Sequence, residues 1–168
     1  MRPSRTRPTS LALLAIAAPV LAACARSRPA PPPPAATTPA AALGAALSAE
    51  RAAWRARRLD AYTFHYRQDC FCAGGGRWYR VAVRDGKVVE AVPRDAAAGG
   101  KGPPLAADAV PTVDLLFARA VRALAEGADS VAVEYDARGH YPSRLYVDWD
   151  RSATDDEIVY AVDSLTPR

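Results

Sequence analysis

The chain has 168 residues, a length that suits one ordinary domain and argues against two. Three Cys exclude a disulfide-dense scaffold, two His leave little material for a His-rich metal site, and 24% charged residues exclude a wholly disordered acidic or basic chain. The net charge of +4 does not describe the folded part: Arg2, Arg5, Arg7, Arg26 and Arg28 precede residue 47 and all 18 acidic residues follow it, so 22 less 5, or 17, basic residues face 18 acidic ones from there on. A nucleic-acid partner needs a basic domain face, and none is expected.

In chain order, residues 1–23 read as an export signal. Arg2, Arg5 and Arg7 give a positive start, and Leu11 to Ala23 form an apolar run of 13 residues, short of the roughly 20 that a bilayer span needs. The run ends in Leu21-Ala22-Ala23-Cys24, which resembles a bacterial lipobox and makes Cys24 the expected lipidation site; an ordinary signal peptide with a chance Cys is the alternative. Acyl chains contribute about 0.8 kcal/mol per buried methylene, so a multiply acylated Cys24 would be a durable anchor. Ala25, rather than Asp, after the Cys implies the outer membrane, periplasmic side, if the host is diderm. Residues 24–43 are read as the lipidated Cys and a tether, because Pro29, Pro31 to Pro34 and Pro39 favour an extended spacer.

Residues 44–168 read as a single domain. Leu47, Trp54 and Leu59, with Ala and Arg between, predict a helix over 45–59. Tyr62, Phe64 and Tyr66 alternate with Thr63, His65 and Arg67, the period of a strand. Residues 77–92 predict a hairpin, with Tyr79, Val81 and Val83 on one face and Asp85-Gly86 in a type I′ turn. A loop rich in Ala, Gly and Pro follows over 94–111. Val113, Leu116, Phe117, Ala120, Val121 and Leu124 then form one helical apolar stripe. Thr112 is placed to cap that helix, Asp114 to complement its dipole and Gly127 to end it.

Strands are expected again over 131–135, 145–149 and 158–162, the first two joined by Arg138-Gly139-His140-Tyr141-Pro142. The expected fold is α+β: an antiparallel β-sheet with two helices packed on one face, in the order α-β-β-β-α-β-β-β. The stretches Asp60 to Tyr66 and Asp129 to Tyr135 share a pattern of Asp, alternation and Tyr. A chance match between two amphipathic strands explains it better than a duplicated half.

A set of residues along the domain carries a family resemblance. Trp54, Asp60-x-Tyr62, Cys70-Phe71-Cys72, the Val81 to Gly86 hairpin and Phe117 belong to it, as do Val133-x-Tyr135-Asp136, Gly139-x-Tyr141-Pro142, Asp148, Asp155-Asp156-Glu157 and Tyr160. Together they resemble the exported bacterial lipoproteins of domain of unknown function family 6174, over 45–167. Pro142-Ser143 departs from the family's Pro-Thr. The resemblance implies an extracytoplasmic α+β domain and carries no activity with it.

Cys70 and Cys72 are the thiols left if Cys24 is acylated. On a regular strand their Cα atoms would stand about 6.5–7 Å apart, the upper limit for a disulfide, and a bend beside Gly74-Gly75-Gly76 would close that gap. A local disulfide staple is the expected role; a redox pair, a soft-metal site and inert thiols are the alternatives. By alternation His65 points away from both, and His140 reads as a solvated loop residue. Asp148 and Asp150 open an acidic stretch that fails as an EF-hand, because Ala153 and Val159 replace the required Gly and Glu. A looser calcium loop competes there with a solvated turn. No phosphate loop or nucleophile elbow occurs.

The sheet face away from the helices is the better lead. Alternation assigns to it Thr63, His65, Arg67, Trp78, Arg80, Arg84, Glu134, Asp136, Tyr146 and Asp148. Of these, His65, Arg67, Trp78, Arg80 and Tyr146 are the candidate binding residues, since Trp, Tyr and Arg dominate binding hot spots; a hydrated face of cross-strand charge pairs is the plainer reading. The sequence thus reads as a lipoprotein held to a membrane through Cys24, a binding or envelope-structural module with an envelope protein as partner. No cofactor, metal or catalytic residue is assigned. The alternative is a small thiol-redox or metal-handling protein built on Cys70 and Cys72.

Overall fold

The computed structural model describes residues 39–72, 75–95 and 102–168. The expected leader, Cys24 and the tether as far as residue 38 lie outside them. Helix α1 (Pro39–Ala56) begins at Pro39 rather than Ala45, inside the stretch read as tether. Proline lacks an N–H that a first turn would leave unpaired anyway, and the Ala-rich run behind it favours helix. The helix stops as Arg58 turns to a φ of 51°.

Strand β1 (Tyr62–Asp69) buries Tyr62, Phe64 and Tyr66. β2 (Trp78–Arg84) and β3 (Lys87–Pro93) form the hairpin, with φ of 49° at Asp85 and 68° at Gly86, both positive as a type I′ turn requires. A short 3₁₀ turn at Ala107–Ala109 interrupts the connection that follows. In α2 (Val113–Glu126) the Leu115 N–H donates to the Thr112 hydroxyl at 3.3 Å, and Gly127 ends the helix at a φ of 78°. β4 (Ser130–Tyr135), β5 (Pro142–Asp148) and β6 (Ile158–Pro167) complete the predicted order.

The six strands form one antiparallel sheet in the order β3-β2-β1-β6-β5-β4. Two three-stranded meanders are therefore joined through β1 and β6, whose register runs from Tyr62 opposite Pro167 to Asp69 opposite Val159. β1 is central and β4 is an edge strand, so the Asp-to-Tyr pattern shared by these two segments marks unlike positions in the sheet.

Both helices lie on the same face. Leu47 and Trp54 of α1, and Val113, Leu116, Phe117, Ala120 and Ala123 of α2, meet the inward residues of the sheet. The Trp54 ring stands edge-on to Tyr62 at 5.4 Å and to Tyr141 at 6.4 Å. Its indole N–H donates to Asp114 Oδ2 at 3.1 Å while Arg55 Nε donates to Oδ1 at 3.2 Å. One carboxylate thereby ties the last turn of α1 to the first turn of α2 and complements the α2 dipole. Val121, assigned by the apolar stripe to the core, is instead 45% exposed, because the first half of α1 stands off from it.

Candidate functional site

On the sheet face that neither described helix covers, His65 faces Arg80 and Arg67 faces Trp78 in direct register across β1 and β2. The four form one patch. Trp78 is flanked by two guanidiniums: Arg67 at 5.2 Å from the ring on the β1 side and Arg94 at 5.1 Å on the β3 side, where the Arg94 N–H donates to the Trp78 carbonyl at 3.0 Å. Each cation sits within the roughly 6 Å over which a ring quadrupole attracts it. Carboxylates hold the cations in turn. Arg67 donates to Asp69 at 2.8 Å and Arg80 to Glu90 at 3.1 Å; His65 and Arg94 both reach Asp163, at 2.9 and 3.7 Å. Such half-exposed pairs contribute about 0–1 kcal/mol each, so they order the face more than they hold the fold.

The Arg67 Nε is sealed from solvent and has no hydrogen-bond partner. Tyr146 lies apart on β5, two strands or roughly 10 Å from β1, and donates to Asp148 at 3.2 Å. Asp136, assigned to this face by alternation, is not on it: a register shift at Glu134/Tyr135 turns it into the following loop. There its carboxylate accepts the N–H groups of Arg138 and Gly139. Arg94 and Asp163 lie outside the set that alternation assigns to this face. Asp163 is in phase with Val159 and Ala161 on β6, so alternation could have found it; Arg94 follows Pro93 in a stretch read as loop.

At the end of β1 the chain bends. The Cys72 N–H donates to the Cys70 carbonyl at 2.8 Å and the Gly76 N–H to the Gln68 carbonyl at 2.8 Å. The bend draws the two Cys Cα atoms to 5.2 Å with their sulfurs in bonding contact, inside the roughly 4.4–6.8 Å range of disulfides. A Cβ on Gly75 would stand 2.6 Å from the Cys70 carbonyl oxygen, so the return strand passes only because that residue is Gly. Gln68 spans the pair, its amide N–H 3.2 Å from Cys70 Sγ and its carbonyl accepting the Tyr66 hydroxyl at 2.7 Å. Phe71 projects at the tip, 90% exposed. Tyr66, Gln68, Cys72 and Tyr79 line a cavity of about 260 Å³ behind it.

His65 lies on the other face from the thiols, as alternation expects. His140 is not simply solvated: its Nδ1 stands 2.9 Å from Glu50 Oε2, tying the β4–β5 turn to α1. In the acidic stretch Asp150 accepts both the N–H and the hydroxyl of Ser152, bonds that hold its carboxyl below the usual carboxylate range. Asp156 accepts the Asp150 N–H at 2.8 Å. These acids are occupied in closing the turn. Among the described residues, no three His, Cys, Asp or Glu side chains converge to hold a metal ion.

Residues 46–167 match one protein family, described as a family of unknown function (DUF6174). Neither a curated protein nor a solved structure matches the chain.

Proposed function

The chain belongs to the DUF6174 family, and from that premise we propose that it is an extracytoplasmic binding module, held at a bacterial membrane by lipidated Cys24, whose open sheet face docks an envelope protein. In a diderm host that membrane is the outer one, on its periplasmic side. The observation that carries the reading is the Arg67–Trp78–Arg94 stack, across the β1, β2 and β3 end of a sheet face that neither described helix covers. Aromatic and guanidinium groups supply most hot-spot energy. Here ion pairs already fix them, which reduces the side-chain ordering that docking would cost.

The lipid-anchored full chain carrying Trp78→Ala and Arg80→Ala is the test, with recovery of an envelope protein by quantitative mass spectrometry as the readout. Loss of about 1.4 kcal/mol or more of binding lowers recovery at least tenfold, while the melting temperature stays within about 2 °C because both side chains lie outside the core. Equal recovery from the two proteins removes the face from consideration. Cys24→Ser releases the chain from the membrane fraction if the anchor is as proposed.

Cys70 and Cys72 serve in this reading as a disulfide staple at the strand end. So short a loop constrains little of the unfolded chain, so Cys70→Ser/Cys72→Ser costs about 1–2 kcal/mol in urea denaturation and leaves partner recovery intact. The exposed bend around Phe71 favours the second reading, a thiol-redox protein. That reading requires the double variant to lose thiol-exchange activity that the parent chain possesses.

A further inference from the structure

We infer that the groove between α1 and α2 binds one long-chain fatty acid, with its acyl chain along the groove and its carboxylate on Arg51. The groove lies in the helical layer, on the other side of the sheet from the docking face, and stands independently of that reading. Its volume of about 740 Å³ falls in the roughly 300–1,000 Å³ range of small-molecule sites. Leu47, Val121 and Leu124 give it apolar walls, and Ala40, Gly44 and Ala125 keep it open. A Cβ on Gly44 would meet nothing within 4 Å. From Arg51 back to Ala40 the lining runs along α1, roughly 16 Å at about 1.5 Å per residue. One leaflet of a bilayer core, roughly 15 Å deep, is what an acyl chain normally fills, so the groove is long enough for one.

The polar end is set by Arg51. Arg55, one turn further on, is held by Asp114. Arg51 lines the groove, yet its Nε is sealed from solvent with no hydrogen-bond partner, and no carboxylate among the described residues pairs with it. A cation on an apolar groove wall with no counter-charge is matched best by a carboxylate accepting two N–H bonds from the outer nitrogens of its guanidinium. Ser48, one turn back on the same groove wall, offers a hydroxyl beside it. One unpaired cation matches one carboxylate. One groove between two helices takes one chain, whereas a diacyl lipid would leave its second chain in water.

The test uses the full chain with a diazirine-bearing palmitate as the photoreactive probe. Adducts are mapped by mass spectrometry to the peptide carrying Val121 and Leu124. Arg51→Gln lowers this labelling at least tenfold without changing the melting temperature, and Gly44→Leu, which fills the groove without touching the charge, lowers it as well. Unlabelled palmitate competes; methyl palmitate, which lacks the carboxylate, does not. Equal labelling of the Arg51→Gln chain, or equal competition by the methyl ester, overturns the proposal. So does stronger labelling by a diacyl phospholipid probe, or a crosslink through the groove to a second copy of the chain in place of a palmitate adduct.

Discussion

Trp54→Ala is expected to remove about 3–5 kcal/mol of stability, a large part of the roughly 5–15 kcal/mol that folded domains have. Three losses coincide at this position. The indole is 2% exposed, so its removal leaves a cavity between α1 and the sheet that backbone relaxation closes only in part. Tyr62 and Tyr141 lose their edge-on partner, and such aromatic pairs are worth about 0.5–1.5 kcal/mol beyond the area they bury. Asp114 loses one of the two donors that tie α1 to the start of α2. Urea denaturation of the full chain reads the loss as a lower midpoint at unchanged slope. Trp54→Phe, which keeps most of the volume and drops the hydrogen bond, falls between the two. A loss under about 1 kcal/mol for the Ala variant would mean that α1 does not dock through this ring.

The domain is also expected to unfold cooperatively between pH 10 and 12. Burial pushes the Tyr62 phenol up to about 12, with the Val113 N–H it accepts opposing and the Asp114 carboxylate adding a little. Burial raises Tyr66 too. Tyr135 rises to about 12 by burial, with Glu50 adding to it. In the unfolded chain these phenols ionise near about 10. Their folded values are raised, so the stability they hold is complete below pH 10 and is lost as pH climbs through the folded value. The buried pair Tyr62 and Tyr66 alone removes about 2.7 kcal/mol per pH unit in that window. The ionisation of Tyr62, Tyr66 and Tyr135, followed by NMR of their labelled rings, should coincide with the change in circular dichroism. Tyr62→Phe moves the alkaline midpoint upward and costs about 1–2 kcal/mol at neutral pH, because the Val113 N–H, 3.2 Å from the phenol oxygen, loses its buried acceptor. Ionisation of Tyr62 or Tyr66 near pH 10 before the circular dichroism changes would contradict this packing.

What could be read from the sequence follows the range over which each signal acts. The alternation of Tyr62, Phe64 and Tyr66 placed one face of β1 in the core and His65 and Arg67 on the other, because a strand has a period of two whatever it pairs with. Asp85-Gly86, Thr112 and Gly127 act within four residues, and each stands where local chemistry put it. Pairing across the chain is another matter. Nothing local tells β1 to take β6 as its neighbour, or His140 to meet Glu50. The start of α1 was obscured because Pro39 closes a proline-rich stretch while also being a good first residue for a helix. Cys70 and Cys72 could be brought together only by a bend, whose geometry depends on Gly75 passing the Cys70 carbonyl. Val121 fits the apolar stripe of α2 but faces a groove, since the small residues at the start of α1 do not fill the space beside it.

The proposed docking of a partner on the open sheet face is tested most directly by site-specific photo-crosslinking of the full chain in living cells. A photoreactive side chain at Arg80 places the reagent within the Arg67–Trp78 patch; one at Arg122, 71% exposed on the helical layer, is the control. A discrete adduct with one envelope protein from position 80, absent from position 122 and lost on Trp78→Ala, is the predicted result. No adduct from position 80, or the same adduct from both positions, would contradict it.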